Sequence, residues 1–510
     1  MSAVEGRADT AGTGVRRDPI RRAAVTNLGC KVNQAEMEAA ARLLRERGVA
    51  IVDGDARADL VLVNTCTVTS EADAKSRHAV RRARRASPDA EIVVTGCSVQ
   101  VGRDAFAAAD PMARLVDNRS KDALLAEIDA LVDVGVDASR PLPRALPTLS
   151  GVEIEGIADG RASVERTRAF VKVQDGCSFF CTYCIIPAAR GPERSHSPET
   201  VLGDVRRALR AGHREIVLTG INIGTYDGGW SERGYRGSHH RSALTLAGLV
   251  RLILAETDVE RLRLSSIEPQ HLDEELLATW IEGAPRTLPH VHLPLQSGDD
   301  GVLRRMGRRY LSGEYATIVR RVRDAIPGVA IHADAIVGFP TEDDAAFGRS
   351  VAFIRSLGLA GLHVFRYSPR PGTAAVRMRG QVDEPTKKRR AAQLLAIAAE
   401  ARASWAAAHV GAEADVLFET RLDDGRWAGH AADHTLVAAD GPAPSGDRAA
   451  SFENHIGRVR IDAVDAVVRD RVVGHLLSIS PPKSTSSQQS PRPASTPHWT
   501  ESRGVVVHAR

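Results

Sequence analysis

The chain has 510 residues, of which 43% are hydrophobic and 26% are charged. This composition is ordinary for a globular protein with a hydrophobic core, and at roughly 150 residues per domain the length predicts about three domains. The net charge of +4 permits an anionic partner without requiring one. No apolar run approaches the roughly 18–20 residues of a membrane span, and residues 1–20 lack the apolar segment of a signal peptide. We therefore expect a cytoplasmic protein that makes no membrane contact.

Short apolar runs alternate with helical stretches over residues 21–136, which we predict to form an N-terminal domain. The predicted strands are 23–28, 60–63, 91–95 and 114–116, and the predicted helices are 35–48 and 72–86. Strands that alternate with helices indicate an α/β fold with a parallel sheet and helices on both of its faces. We predict that residues 1–20 are a disordered tail and that the Pro- and Gly-rich residues 137–162 are a linker.

A second alternating series occupies residues 163–405. Its predicted strands are 169–173, 215–219, 261–265, 290–295, 330–337 and 361–365, and its predicted helices are 198–211, 245–255, 272–282, 313–325 and 344–357. Six βα units are too few for a complete eight-fold barrel, so they predict an open six-unit barrel. The Gly- and charge-rich residues 227–242 are interpreted as a loop insertion.

The last part of the chain has a different pattern. After a long predicted helix at 384–408, short β-like runs at 414–419, 435–438, 457–461 and 472–479 follow one another without intervening helices. This pattern predicts a small antiparallel β-barrel within residues 406–480. Ser, Pro, Gln and Thr dominate residues 481–510, which we expect to be a disordered tail.

Three cysteines lie within eight residues directly after the first strand of the second series. Cys177, Cys181 and Cys184, here the barrel cysteine triplet, form a CxxxCxxC motif. Thiolate is the ligand that an iron–sulfur cluster requires, and three protein ligands leave the fourth iron open to another group. A zinc site short of one ligand and a redox-active Cys181/Cys184 pair remain as alternatives.

The other three cysteines follow three successive strands of the N-terminal domain. We call Cys30, Cys66 and Cys97 the N-terminal cysteine triplet. Because the carboxyl ends of parallel strands lie along one edge of a sheet, this placement brings three thiols together. It predicts a second iron–sulfur cluster, and the alternative is three small buried residues.

The CxxxCxxC barrel resembles the radical S-adenosylmethionine (SAM) enzymes. Together with the three-cysteine domain before it and the small β-domain after it, the chain resembles the methylthiotransferases over roughly residues 22–480. The motifs that carry the resemblance are LGCKVNQ at 28–34, NTCTVT at 64–69, TGC at 95–97, CIIP at 184–187, RG at 190–191, SSIEP at 265–269, HLPLQSG at 292–298 and FRYSP at 365–369.

Within this family, GCKVNQ and CTVT are similar to the branch that modifies threonylcarbamoyladenosine beside the tRNA anticodon. The branch that acts on isopentenyladenosine tends to show GCQMN at the first position. The branch that modifies an aspartate of a small-subunit ribosomal protein tends to show GCPKN. A non-catalytic iron–sulfur protein that binds RNA and senses redox state is a reading of another class.

The resemblance implies two [4Fe-4S] clusters and SAM as cofactors. It implies that the cluster on the barrel cysteine triplet reduces SAM, whereas the cluster on the N-terminal cysteine triplet carries the sulfur, and that a second SAM supplies the methyl group. The implied partners are the anticodon loop of tRNA, a low-potential electron donor such as flavodoxin or ferredoxin, and a sulfur donor. The enzyme is expected to act as a monomer.

Other residues are less specific candidates. Gly220, Glu268 and Gln296 follow barrel strands and are candidate SAM contacts, although each also fits an ordinary role in the rim of the barrel. Asp334 faces either the barrel interior or a neighbouring strand. Candidate phosphate-binding residues are Lys75, Arg77, Arg81, Arg82, Arg84, Arg85, Arg304, Arg305, Arg308 and Arg309. The C-terminal β-barrel resembles the RNA-binding TRAM module.

Overall fold

The computed structural model describes residues 19–54, 56–118, 121–133, 167–229, 244–440 and 451–480. The predicted linker, the predicted C-terminal tail, most of the predicted loop insertion and residues 1–18 of the predicted N-terminal tail lie outside the described residues. Within the described ranges, no helix combines the length and the apolar character needed to cross a membrane.

The N-terminal part is a five-stranded sheet in the order β2-β1-β3-β4-β5, in which every neighbouring pair is parallel. Its strands are β1 (Arg22–Asn27), β2 (Ala50–Val52), β3 (Leu60–Thr65), β4 (Glu91–Gly96) and β5 (Arg114–Leu115). Its helices are α1 (Lys31–Glu46), α2 (Ser70–Ala86), α3 (Cys97–Val101), α4 (Arg103–Ala109) and α5 (Lys121–Asp133). Met37 and Ile128 pack on one face and Val80 and Phe106 on the other, so helices cover both faces, as predicted.

The middle part contains six parallel strands in the order β6-β9-β10 and β11-β12-β13, and a separate antiparallel pair, β7 and β8. The eight strands are β6 (Arg168–Lys172), β7 (Gln174–Asp175), β8 (Arg194–Ser195), β9 (Glu215–Thr219), β10 (Arg261–Leu264), β11 (His290–His292), β12 (Ala330–Val337) and β13 (Gly361–Arg366). The two groups meet where the Ile267 amide donates to the His292 carbonyl at 2.9 Å. The open six-unit barrel is therefore confirmed.

Helices surround this barrel and bury one large hydrophobic core against it. They are α6 (Ile186–Arg190), α7 (Pro198–Arg210), α8 (Leu246–Glu256), α9 (Glu274–Glu282), α10 (Asp300–Met306), α11 (Ser312–Ala325), α12 (Asp344–Ser356) and α13 (Glu384–Ala408). Side-chain caps fix several starts: Ser197 accepts from the Thr200 amide at 3.2 Å, and Asp273 accepts from the Leu276 amide at 2.8 Å.

The C-terminal part is a closed barrel in the order β14-β15-β16-β18-β17. Its strands are β14 (Glu413–Arg421), β15 (Trp427–His430), β16 (Leu436–Asp440), β17 (Ile456–Val464) and β18 (Arg471–Ser480). The predicted all-antiparallel arrangement needs one correction, because β16 and β18 pair in parallel. A closed ring of five strands cannot alternate direction throughout, so one pair must be parallel.

The C-terminal barrel docks against the amino ends of the strands of the middle barrel. Arg261, the first residue of β10, donates to the backbone carbonyls of Asp415 and His430 at 3.2 and 3.1 Å. The same arginine and Arg263 are held by Glu215, whose carboxylate oxygens lie 2.8 and 2.9 Å from them. The opposite ends of these strands are consequently left to the cysteines.

Candidate active site

The structure brings the N-terminal cysteine triplet to one edge of the sheet. Cys30 directly precedes α1, Cys66 directly follows β3, and Cys97 is the first residue of α3 after β4. The pKa of Cys66 responds to the charges of Cys30 and Cys97, so the three sulfurs lie near one another. All three are free thiols.

Two glycines allow the backbone to make the turns that carry these cysteines. Gly96 adopts a φ of 105°, and a Cβ there would collide with the Asn64 side chain and the Thr65 backbone. At Gly29, a Cβ would collide with the Asn33 side chain. Larger residues at either position would therefore displace the neighbouring cysteine.

Asparagine side chains contact two of the sulfurs. Cys30 Sγ donates to Asn33 Oδ1 at 3.2 Å, and Asn33 Nδ2 donates to Asn64 Oδ1 at 2.8 Å. Asn118 Nδ2 lies 3.6 Å from Cys97 Sγ and donates to the Ala189 carbonyl at 3.1 Å. Since Ala189 belongs to α6, the Cys97 environment is joined directly to the middle barrel.

The barrel cysteine triplet occupies the loop between β7 and α6. The Cys184 amide donates to the Cys181 carbonyl at 2.9 Å, and the pKa of Cys184 responds to the charges of Cys181 and Cys177. Phe180 turns the loop with a φ of 51°. The Thr182 amide donates to the Met306 carbonyl at 2.9 Å, which fixes the loop to α10.

The chemistry of the thiols fits iron–sulfur clusters. Burial raises the pKa of Cys177 to about 11 and the pKa values of Cys66 and Cys184 to about 12, so these thiols bind metal with release of protons. Among the described residues, neither triplet has its three sulfurs within 4.8 Å of one another. Tetrahedral zinc, with Zn–S bonds of about 2.3 Å, needs sulfurs about 3.8 Å apart. Binding of a single zinc ion would therefore require the three sulfurs of a triplet to move closer together.

The candidate SAM contacts lie at the carboxyl ends of the barrel strands. Gly220 follows β9 and packs so closely on Gln174 that a Cβ would meet its side-chain oxygen at 2.9 Å. Gln296 has a φ of 68° and its amide donates to the Asp334 carbonyl at 2.7 Å. Glu268 is ion-paired with Arg308, although burial still raises the pKa of Glu268 above its usual value.

Arg308 corrects one sequence-based expectation. It was expected among phosphate-binding arginines, but only 3% of its side chain is exposed. Its guanidinium contacts Glu268, Cys181 Sγ at 3.5 Å and the Tyr310 hydroxyl at 2.9 Å. Arg308 therefore belongs to the cysteine site, and burial prevents it from reaching an RNA backbone.

A buried arginine connects the two cysteine triplets. Arg190, six residues after Cys184, is fully buried and donates to Asn33 Oδ1 at 2.7 Å, to Glu36 at 3.1 Å and to Asp175 at 2.9 Å. Burial alone would lower the pKa of Arg190, but Glu36 and Asp175 raise it well above its usual value. Since Asn33 also accepts from Cys30, one guanidinium couples the barrel cysteine loop to the N-terminal triplet.

A histidine–aspartate group lies inside the barrel. Asp334 Oδ1 is 2.9 Å from His292 Nε2 and 3.1 Å from His363 Nδ1, and the three donor atoms lie within 4.8 Å of one another. Burial alone would raise the pKa of Asp334, but His292 lowers it below its usual value. Asp334 thus faces the barrel interior, which resolves its predicted position.

Lys31 directly follows Cys30 at the start of α1. Desolvation by the surrounding protein, followed by the charges of Arg168 and Arg263, lowers the pKa of Lys31 to about 8. This lysine belongs to the GCKVNQ motif, which by itself assigns no role to the ammonium.

The fold and the two triplets define a radical SAM enzyme with an additional cysteine domain. Residues 171–354 match the family model of the radical SAM superfamily, and residues 22–117 match the uncharacterized protein family UPF0004.

Among curated proteins, the chain is 36% identical to the threonylcarbamoyladenosine tRNA methylthiotransferase MtaB of Bacillus subtilis, over 77% of this chain and 83% of that protein. It is 34% identical to MtaB of Chlamydia pneumoniae, over 77% and 85% of the two chains. It is 31% identical to the tRNA-2-methylthio-N(6)-dimethylallyladenosine synthase of Erythrobacter litoralis, over 83% and 92%. The chain belongs to the methylthiotransferase family and is a transferase, with SAM and [4Fe-4S] clusters as its cofactors.

Proposed function

We propose that this enzyme inserts sulfur and a methyl group at carbon 2 of threonylcarbamoyladenosine 37 in the anticodon loop of tRNA. The observation that carries the proposal is the pair of cysteine triplets joined through Arg190 in a chain of this family. The choice of nucleoside is supported by the MtaB relatives at 34–36% identity and by the GCKVNQ motif. A tRNA substrate implies a cytoplasmic enzyme.

Cys177, Cys181 and Cys184 would hold one [4Fe-4S] cluster, and Cys30, Cys66 and Cys97 the other. When bound, these groups would supply the one-electron chemistry and the sulfur for the reaction. One-electron chemistry is needed because carbon 2 of adenine carries an unactivated C–H bond, which no acid or base side chain can break. Gly220, Glu268 and Gln296 are the residues that we assign to SAM. A low-potential electron donor such as flavodoxin or ferredoxin and a sulfur donor complete the proposed partners of a monomeric enzyme.

Side chains around the two cysteine triplets hold them in position. Arg308 spans Cys181, Glu268 and Tyr310 and so fixes the cysteine loop against the strand ends. Arg190 and Asn118 hold α6 to the N-terminal triplet. Such fixed geometry is what a reaction between two separately bound groups requires.

The same chemistry on isopentenyladenosine 37 is a second candidate, favoured by the 31% identity to the Erythrobacter litoralis synthase. Mass spectrometry of tRNA nucleosides from a strain lacking this gene and from its parent separates the two. Loss of 2-methylthio-threonylcarbamoyladenosine, with accumulation of the unthiolated nucleoside, supports the proposal. Loss of the methylthio-isopentenyl nucleoside transfers the assignment to the second candidate. Unchanged nucleosides would refute a tRNA substrate and direct the search to the ribosomal protein or to a non-catalytic RNA-binding role.

Two variants test the cysteine assignments. Cys181→Ala should abolish SAM cleavage while the N-terminal triplet keeps its iron. Cys66→Ala should still cleave SAM to 5′-deoxyadenosine but form no methylthio product. Continued 5′-deoxyadenosine formation by Cys181→Ala, or normal product from Cys66→Ala, would contradict the assignment of the corresponding triplet.

A further inference from the structure

The histidine–aspartate group lies on three neighbouring parallel strands of the middle barrel. His292 belongs to β11, Asp334 to β12 and His363 to β13, and Asp334 and His363 are direct partners in the strand register. Residues that alternate with them along the strands, such as Ala333 and Val364, pack into the hydrophobic core under the helices. Because successive side chains of a strand point to opposite faces, the three polar side chains face the barrel interior.

The donor atoms of this group have the separations of ligands on one metal ion. Asp334 Oδ1 lies 2.9 Å from His292 Nε2 and 3.1 Å from His363 Nδ1, and the three atoms lie within 4.8 Å of one another. Zinc binds histidine nitrogen and carboxylate oxygen at about 2.0–2.1 Å, so adjacent ligand atoms are about 2.8–3.4 Å apart for right-angled to tetrahedral bonds. Both distances to the carboxylate fall within this range.

The second nitrogen of each imidazole also suits a metal site. His292 Nδ1 lies 3.2 Å from Ser266 Oγ. A histidine that binds metal through one nitrogen usually donates its other N–H to a polar partner, which fixes the ring. With an ion on Nε2, the proton of a neutral His292 resides on Nδ1 and is donated to Ser266. The proton of a neutral His363 likewise resides on Nε2, on a side chain that is 57% exposed.

The neighbouring histidines are engaged elsewhere. His332, which is the register partner of His292, lies with its Nδ1 3.1 Å from His290 Nε2. The group therefore consists of two imidazoles and one carboxylate, a ligand set that is typical of divalent transition metals and contains no thiolate. Three ligands from one wall leave the other positions of an ion directed toward the barrel interior.

We propose that His292, Asp334 and His363 bind one divalent transition-metal ion inside the middle barrel, separate from the iron of the two cysteine triplets. The open positions of this ion would accept oxygen ligands, such as water or a carboxylate. The inference holds whichever nucleoside the enzyme modifies, because it concerns side chains of the barrel wall alone.

The test adds Zn²⁺ to the holoenzyme, in which iron–sulfur clusters already occupy both cysteine triplets. Anaerobic equilibrium dialysis followed by elemental analysis should give about one zinc ion per chain, with unchanged iron content. X-ray absorption at the zinc edge should show only nitrogen and oxygen ligands, at about 2.0–2.1 Å. Zinc that is not retained, or sulfur ligands at about 2.3 Å, would overturn the inference.

Variants assign the zinc to these residues. His363→Ala removes a ligand and should weaken zinc binding by more than about 100-fold, whereas Ser266→Ala removes only an outer partner and should weaken it by about 10- to 100-fold. His475→Ala is the matched control, because His475 pairs with Asp462 at 2.8 Å on the surface and is 55% exposed, and it should bind zinc as wild type does.

His363→Gln guards against loss of structure in the alanine variant. The glutamine amide can still donate a hydrogen bond to Asp334 but is a poor metal ligand, so this variant should keep its Tm and its iron while losing zinc. If His363→Ala and His363→Gln both bind zinc as tightly as His475→Ala, the group is held by hydrogen bonds only and the inference is wrong.

Discussion

Replacing Arg190 by Met tests whether one buried guanidinium couples the two cysteine triplets. The substitution removes hydrogen bonds to Asn33 at 2.7 Å, Glu36 at 3.1 Å and Asp175 at 2.9 Å. Loss of one partner from a buried ion pair costs about 3–5 kcal/mol. Lys172 remains 3.1 and 3.2 Å from the same two carboxylates, so we expect the lower limit of about 3 kcal/mol.

Loss of these contacts should lower both the thermal stability and the fraction of SAM cleavage events that yield methylthio product. About 3 kcal/mol corresponds to a fall of roughly 6–12 °C in the Tm of the unfolding unit that contains Arg190. The barrel cysteines keep their own contacts, so SAM cleavage should continue, while the ratio of methylthio product to 5′-deoxyadenosine should fall at least about tenfold. Differential scanning calorimetry and product analysis measure the two effects. Arg190→Lys should recover only part of them, because an ammonium cannot reproduce the planar fork of the guanidinium.

Arg206→Met is the matched control. Arg206 pairs with Glu256 at 2.9 Å on the surface, where 44% of the arginine side chain is exposed. Exposed ion pairs contribute about 0–1 kcal/mol to the free energy of unfolding, so Arg206→Met should remain close to wild type in Tm and in product ratio. If Arg190→Met matched Arg206→Met in Tm and in product ratio, Arg190 would not couple the triplets.

Further predictions concern the docking of the C-terminal barrel, the strand-end turn and pH dependence. Glu215→Gln should lower the free energy of unfolding by about 3 kcal/mol in urea titrations, because it leaves two buried arginines undercompensated; an unchanged midpoint would contradict this. Gly96→Ala should reduce the iron content of the N-terminal cysteine triplet, because the new Cβ would collide with Asn64 and Thr65; full iron content in this variant would disprove the steric argument. As a control, Gly203→Ala places its Cβ on a helix with no atom within 4 Å and should raise the free energy of unfolding by about 0.5–1 kcal/mol. Iron analysis measures the first effect and urea titration the second. Hydrogen bonding to Asp433 raises the pKa of His409 above 6.5, and His409 lowers the pKa of Asp433 below 3.8 despite burial. The ion pair therefore stabilises the fold between about pH 3.8 and pH 6.5, the ordinary pKa values of the two groups, and this contribution is lost as the pH rises through the raised pKa of His409. His409→Gln should consequently lower Tm by about 2–4 °C at pH 5.5 and by less at pH 9. An equal fall in Tm at both pH values would exclude the ion pair as the cause.

Much of the fold follows from local sequence pattern. Residues 215–219, 330–337 and 384–408 were predicted with the bounds that the structure shows, because apolar periodicity and polar flanks mark both ends. Helix α1 begins at Lys31, whereas the sequence predicted a start at residue 35. The true start carries no sequence signal, because Cys30 precedes it without forming a side-chain cap. Strand β15 was missed because it has four residues and includes a glycine.

The sequence predicted those site residues whose type and spacing indicate a particular chemistry, namely the six cysteines. The cysteines follow strands, and strand order alone brings them to one edge. Arg308 shows the limit of this reasoning: it is a basic residue in a polar segment, and its partners Glu268 and Cys181 are distant in sequence. Its burial depends on how the cysteine loop packs against the strand ends, which no local pattern encodes.

The docking of the C-terminal barrel sets a minimum size for any ligand that engages it together with the cysteines. The β-barrel contacts the amino ends of the middle strands through Arg261, whereas Cys177 and Gly220 lie at their carboxyl ends. Strand β9 has five residues, which at about 3.3 Å each separates the two ends by roughly 17 Å. Stacked nucleotides rise about 3.4 Å each, so a nucleic acid must extend over about five of them to bridge this length. A free nucleoside is shorter than this distance and can therefore contact one end only.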